Sequence, residues 1–266
     1  MVFKYTKAVC RRIPKSIVDD GIRMDLNEPL IDYKRAVQQH EHMVQSLEKL
    51  GIKVTVLETD ESTPDCVFVE DPAVIIGDTV LITNPGRKSR KPETKMIKEH
   101  FKKNEPHLKI VEMESPAELD GGDVMFTGRE IFVGQSRRTN KAGYLKVKET
   151  FPDYPVHAIP IPENTLHLLS CMSAVDEDTI ICGGSPDASA ALKVVLEKTT
   201  CLYSVIRTPD DDGANLVSVN GTILWRSDLP ATSNIVSKLN IPKMDIDGSE
   251  LNKVDGSLTC CSLLYN

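Results

Sequence analysis

Two cysteines stand side by side near the C-terminus, in the stretch Leu258-Thr259-Cys260-Cys261-Ser262. In an extended chain neighbouring side chains leave opposite faces, so only one of the two thiols can enter a shared pocket. A buried cysteine is commonly an inert small hydrophobe. One that reacts must reach the thiolate, which a nearby imidazolium or a bound cation favours. Only one histidine lies in matching sequence. His167 interrupts the apolar, strand-like run Leu166-His167-Leu168-Leu169, whereas His40, His42, His100, His107 and His157 stand in polar helix or loop sequence expected to face water. A lone histidine in an apolar run is more often a satisfied core residue. Beside carboxylates and a thiol of matching phase it becomes a general acid/base candidate.

Carboxylates also break apolar runs at recurring positions: Asp65 with Glu70-Asp71, Asp120 with Asp123, Asp211-Asp212, and Asp255 ahead of Cys260. Such residues carry a desolvation cost unless they are paired, at a rim or functional. Any one of them reads most simply as a turn cap, and the set reads as the lining of a common mouth. Two basic loops, Arg87-Lys88-Ser89-Arg90-Lys91 and Arg137-Arg138-Thr139-Asn140, are ordinarily solvated, but an arginine from each could clamp one carboxylate. Acids within and arginines at the lip suit a ligand that is cationic at one end and anionic at the other, as an arginine-like amino acid is. Metal and nucleotide motifs are absent: there is no Cys-x-x-Cys or His-Glu-x-x-His, and Gly121-Gly122 lies between aspartates rather than in a phosphate loop. No cofactor is required by this reading.

The elements that must position these residues repeat. An apolar run, a polar turn, a second apolar run, a Gly/Ser/Arg-rich loop and a helical stretch recur about every 40–50 residues, a spacing typical of repeat architectures. The first copy runs from Val67 through Ile75, turns at Gly77-Asp78, and continues over 79–83 with a helix over 93–101. The second spans 124–126, 131–133 and a helix over 141–150. The third spans 172–175, 179–182 and a helix over 187–197, and the fourth 216–219, 222–225 and a helix over 233–238. Gly- and Asp-rich turns between β-branched runs are hairpin signals. An amphipathic helix over 34–50 precedes a strand over 53–57, and a final strand over 258–264 has no helix after it. Pairing that strand with the N-terminal segment makes a fifth unit. The expectation is an α/β chain of five pseudo-symmetric units around one mouth, a single catalytic domain over 1–266.

Composition excludes other classes. With 40% hydrophobic and 27% charged residues the chain reads as globular. Its net charge of -7 argues against a nucleic-acid partner. No run approaches the roughly 18 apolar residues of a membrane span. The N-terminus lacks the apolar core of a signal peptide, and seven cysteines, an odd number, are expected to be reduced in a cytosolic protein.

Several motifs in collinear order resemble the dimethylarginine dimethylaminohydrolase family. They are Asp-Cys-Val-Phe-Val-Glu-Asp at 65–71, Leu-Asp-Gly-Gly-Asp-Val at 119–124, Phe-Thr-Gly-Arg-Glu at 126–130, Arg-Thr-Asn at 138–140, Leu-His-Leu at 166–168 and Lys-Val-Asp-Gly-Ser-Leu-Thr-Cys-Cys-Ser at 253–262. The resemblance implies the five-bladed α/β propeller of guanidine-modifying enzymes. It implies that Cys260 attacks a guanidinium carbon, that His167 moves protons and that Asp120 orients the imidazole. Asp65, Glu70 and Asp71 match positions that hold the guanidinium and the amino-acid end of the substrate. Arg90 and Arg138 match carboxylate-binding arginines. Ile22, where leucine is expected, and Val254 with Asp255 match the remaining substrate contacts.

In arginine and agmatine deiminases a His-x-Asp motif grips an unsubstituted guanidinium, and here Leu168 and Leu169 follow His167. The missing acid leaves room for N-methyl groups. The expected reaction is hydrolysis of asymmetric dimethylarginine or monomethylarginine to citrulline through an S-alkylthiouronium on Cys260, with a place in nitric oxide regulation. The competing readings are a hydrolase of arginine or agmatine and a catalytically silent binding protein on the same fold. Zinc is not required and is expected to inhibit at Cys260 and His167. The partner is a small molecule, and the chain is expected to be a monomer or weak dimer.

Overall fold

The computed structural model describes residues 3–266. Its strands form five three-stranded sheets with one plan: an antiparallel hairpin whose second strand is joined, through a helix, to a parallel third strand. The first unit contains β3 (Ala73–Ile76) and β4 (Thr79–Ile82), then α3 (Glu93–Asn104) and β5 (Lys109–Glu112). The second has β6 (Val124–Phe126), β7 (Ile131–Gln135), α4 (Lys141–Thr150) and β8 (Val156–Pro160). The third has β9 (Met172–Asp176), β10 (Thr179–Cys182), α5 (Pro186–Lys198) and β11 (Ser204–Arg207). The fourth has β12 (Val217–Val219), β13 (Thr222–Arg226), α6 (Pro230–Val236) and β14 (Lys243–Ile246). The chain's two ends make the fifth. β15 (Leu263–Tyr265) pairs antiparallel with β1 (Lys7–Arg11), and α2 (Tyr33–Lys49) leads to β2 (Lys53–Leu57), parallel to β1.

The unbroken apolar character of the middle strands has a physical cause. Along β4, Val80 and Ile82 join the cluster shared with the fifth unit, and Leu81 between them joins the cluster shared with the second. Ile180 and Cys182 of β10 likewise face the second unit while Ile181 faces the fourth. Each middle strand is thus buried on both faces, so period-2 alternation between apolar and polar is lost. Among the described residues the core forms five clusters, each filling the seam between two neighbouring units, and together they close a ring.

Three expectations needed adjusting. The apolar run 67–72 is a turn leading into β3 rather than strand, and the last strand is shorter than 258–264 because Thr259–Cys261 form a 3-10 turn. The third strands of the first four units, β5, β8, β11 and β14, were not foreseen. These are short edge strands with half-exposed patterns, as in β5, so they carry little periodic signal. No helix among the described residues is long and apolar enough to cross a membrane.

Candidate active site

Cys260 sits on the 3-10 turn ahead of β15, where successive side chains leave the axis about 120° apart. It is partly exposed and lines a small pocket, while Cys261 is buried between the fourth and fifth units with Cys10 and Leu258. One thiol faces the pocket, as expected, but a turn separates the pair rather than strand alternation. His167 is not in a strand either. It precedes a 3-10 turn, Leu168–Ser170, and its ring is buried. The other histidines are not uniformly solvated: His40 and His100 are buried on α2 and α3, and without a counter-ion burial lowers His40 to about 4.

His167 Nε2 lies 3.0 Å from Asp120 Oδ2. Asp120 is fully buried, accepts the Gly86 N–H at 2.9 Å, and has Arg138 Nη1 at 3.4 Å. Asp123, directly after the glycine pair, accepts the Leu168 N–H at 3.0 Å and the Ser136 and Thr139 hydroxyls at 2.6 Å. It fixes the backbone next to His167. The glycine between these acids is required by close approach, since a Cβ on Gly122 would lie 2.9 Å from His167 Nδ1 and 3.0 Å from Asp71 Oδ1.

The remaining predicted residues fall into three groups. Asp65, Asp71, Arg90, Arg138, Val254 and Asp255 all line the pocket with Cys260 and His167. Ile22 closes it from above, donating its N–H to Asp65 at 3.0 Å, while Met24 N–H donates to Asp255 at 2.6 Å. Asp255 has a left-handed backbone (φ 57). With this strap in place the pocket measures about 30 Å³, close to one water's share of liquid. Glu70 is not among the lining residues, although its carboxyl lies against the Cys260 thiol from behind. It lines a separate channel behind the pocket, accepts the Thr259 hydroxyl at 2.9 Å, and its N–H donates to the Cys260 carbonyl at 3.2 Å. Asp211 and Asp212 do not reach the pocket; Asp211 accepts the Ser185 N–H at the start of α5, the turn-capping role.

Arg90 is not a free lip residue. Its guanidinium is buried, ion-paired with Asp71 and with Glu93 at 2.7 Å, and it donates to the Phe68 carbonyl at 3.1 Å. Glu93 escaped the sequence reading because it stands as an ordinary first-turn acid of α3. Its spacing of three from Arg90 was the available signal. Phe68, Leu166 and Thr259 also belong to the site and lack distinguishing sequence marks.

Electrostatics set the protonation states. Burial alone would lower His167, but Asp71, the hydrogen bond to Asp120 and Asp123 outweigh it and hold the imidazole at about 9. Burial, Glu70 and Asp71 push the Cys260 thiol well above its ordinary value. Asp71 stays below the usual range because Arg90 and His167 overcome its burial. The site without ligand therefore holds a neutral thiol beside an imidazolium. An arriving cation is what tips the thiol toward thiolate. The three metal-donor side chains that cluster, with ligand atoms within 4.8 Å of one another, are Asp71, Asp120 and His167; Cys260 is outside that group.

A buried His–Asp pair, one facing thiol and acid–arginine pairs suit displacement at a guanidinium carbon. Residues 16–219 match the family model described as N,N dimethylarginine dimethylhydrolase, eukaryotic. The chain belongs to this family. It is 28% identical over 263 residues to the N(G),N(G)-dimethylarginine dimethylaminohydrolase of Pseudomonas aeruginosa (97% of this chain, 99% of that protein). It is 32% identical over 271 residues to the putative hydrolase DDAH2 of Homo sapiens (97% of this chain, 94% of that protein). Among solved structures, a cysteine-to-serine mutant of the Pseudomonas aeruginosa enzyme complexed with citrulline superposes with a TM-score of 0.87 at 26% identity, covering 99% of this chain and 100% of that one. The expected five-unit propeller of this family is thus the fold of the chain.

Proposed function

We propose that this chain hydrolyses Nω-methylated arginines to citrulline, releasing dimethylamine or methylamine, with Cys260 as nucleophile, His167 as proton carrier and Asp120 as its orienting partner. The observation that carries the reading is the convergence of Cys260, His167, Asp71, Arg90 and Arg138 on one pocket. The guanidinium enters beside Asp71 and Cys260, and its charge favours the thiolate, the thiol proton passing to solvent as the substrate binds. The sulfur attacks the guanidinium carbon, and the imidazolium gives its proton to the departing amine nitrogen as the C–N bond breaks. A planar thiouronium remains on Cys260. His167, now neutral, takes a proton from water, whose oxygen adds to the same carbon; the C–S bond then breaks and citrulline leaves. Asp120 holds the ring and stabilises its charged form, as in acyl-transfer triads.

The acids Asp65 and Asp255 hold the substrate's ammonium end, and Arg138 pairs with its carboxylate. Because Arg90 is already matched by Asp71 and Glu93, its part is to set the charge of Asp71 and the pocket floor. Ile22 and Val254 close over the bound chain, so the strap at 22–24 opens for entry. Leu169, where related deiminases carry the aspartate of the His-x-Asp motif, supplies no acid to grip an unsubstituted guanidinium, which leaves room for N-methyl groups. We read residues 1–266 as one catalytic domain working in the cytosol as a monomer or weak dimer, without a cofactor, and acting on nitric oxide regulation through its substrates. Asymmetric dimethylarginine and arginine are offered to the purified protein and citrulline is measured. Faster turnover of arginine overturns the methylarginine reading, and no citrulline from either overturns the hydrolase reading.

Zinc inhibits through capture by Cys260 and His167, with Asp71 or Asp120 within reach of the same imidazole. Activity should fall in micromolar zinc and return with chelator. Full activity in excess zinc breaks this prediction.

A further inference from the structure

Behind the active site, the first strands of all five units line a second space. Val74 and Ile76 of β3, Phe126 of β6 and Ala174 of β9 are among its walls, with Phe3 and Tyr5. It measures about 170 Å³, several times the roughly 30 Å³ share of a water molecule. Its chemistry is uneven. No lysine, arginine or histidine among the described residues lines it, and its one ionisable acid is Glu70, at the inner end. Glu70 has a hydroxyl donor in Thr259 but no cation among the described ion pairs, whereas Asp71 next in sequence has Arg90. Burial first, and then Asp71, push the Glu70 carboxyl up to about 8, outweighing the opposing pull of the Thr259 hydroxyl, the His167 charge and the Cys260 thiol. Three aromatic rings, Phe3, Tyr5 and Phe126, line the same space. A single carboxylate in a channel otherwise walled by aromatic and aliphatic side chains suits methylated ammonium ions, through charge and apolar contact with the methyl groups.

We infer that this rear channel is a binding site for small methylated ammonium ions, dimethylammonium above all, with the Glu70 carboxylate as counter-ion. The choice of dimethylammonium rests on the proposed reaction, which releases it; the class of ligand rests on the channel alone. Occupation is felt at the nucleophile, because Glu70 lies directly against Cys260. A cation in the channel holds Glu70 ionised, and an ionised Glu70 opposes the Cys260 thiolate. Dimethylammonium therefore inhibits from behind without competing for the front pocket.

The test is saturation-transfer NMR on the purified full chain with dimethylammonium chloride, and with neutral propan-2-ol as a control of similar size. Transfer to the dimethylammonium methyls is expected, undiminished by propan-2-ol. Glu70→Gln should weaken it about tenfold. Ala174→Leu and Ser218→Leu, on walls from two different units, should each abolish it while the protein retains a cooperative melting transition. If one of these fails to fold, the other decides. No transfer in the natural protein, or transfer that survives both wall substitutions, overturns the site. Because binding is measured without turnover, a chain that released no citrulline would refute the proposed reaction and leave this result standing or falling by itself. In an active chain, inhibition that raises KM without lowering kcat would place the ion in the front pocket and overturn the inference.

Discussion

The two ends of the ring share one architecture and differ in what fills it. At the front, residues ahead of the first strands bring a thiol, an imidazole and several carboxylates, and loops after the second strands of the first two units bring two guanidiniums, around about 30 Å³. At the rear, the strands contribute apolar side chains around about 170 Å³ and only one ionisable acid. Charges at the front offset one another: Arg90 with Asp71 and Glu93, His167 with Asp120. That mutual pairing lets ionised groups stay buried, whereas Glu70, on the boundary, is pushed toward its neutral form. Ring closure is therefore compatible with either environment, and the loops before and after each hairpin decide which one forms.

Substitutions that should affect only one environment test this contrast most directly. Cys260→Ser should cost more than about 10⁴-fold in kcat, because the nucleophile is lost. Cys261→Ser, in the seam between units, should keep most of the turnover and instead lose about 1–3 kcal/mol of stability by burying a hydroxyl among apolar groups. Equal loss of activity in both, measured by citrulline release, would mean that the turn does not separate the two thiols. Asp120→Asn comes next. It keeps the shape of the pair and removes the charge, so kcat should fall about 10²–10⁴-fold with the melting transition retained. NMR titration should then show His167 ionising at lower pH. An unchanged His167 titration would assign its protonation to Asp71 and Asp123.

The pH dependence is a milder test of the same front-end pairing. His167 moves from 6.5 in the unfolded chain to about 9 in the fold, a raised value. Its contribution to stability is fully present below 6.5 and is lost as pH rises through about 9. The melting temperature should decline across that interval, and activity should decline at its upper end as the general acid loses its proton. A flat stability profile from pH 6.5 to 9 in the natural protein, matched by Asp120→Asn, would contradict the pairing. Smallest is Arg138→Lys, which should raise KM about tenfold and leave kcat within a few-fold, since a lysine cannot reproduce a bidentate grip on a carboxylate. A fall in kcat with KM unchanged would place Arg138 with Asp120 in the proton chemistry, where its 3.4 Å contact also points.

Much of this is legible in the sequence. Hairpin turns such as Gly77-Asp78, with Gly77 at φ 62, marked the repeats, and α4 over 141–150 and β2 over 53–57 fall where periodicity put them. Cys260, His167 and Asp120 were identifiable because each departs from its surroundings, a polar atom in apolar sequence. The edge strands β5, β8, β11 and β14 were not, since a short half-exposed strand has no distinctive pattern.

By itself, the sequence determined the number of units, their order and which residue types would meet, because burial on both faces demands unbroken apolar middle strands and turns demand glycine, asparagine or aspartate. Only the tertiary structure decided which end of the ring each polar side chain faces. It turned Asp71 forward and Glu70 backward, matched Arg90 to Glu93, and put Cys260 rather than Cys261 at the pocket through a 3-10 turn. Neighbours in sequence part company there because irregular backbone, unlike a strand or helix, has no fixed period from which direction can be read.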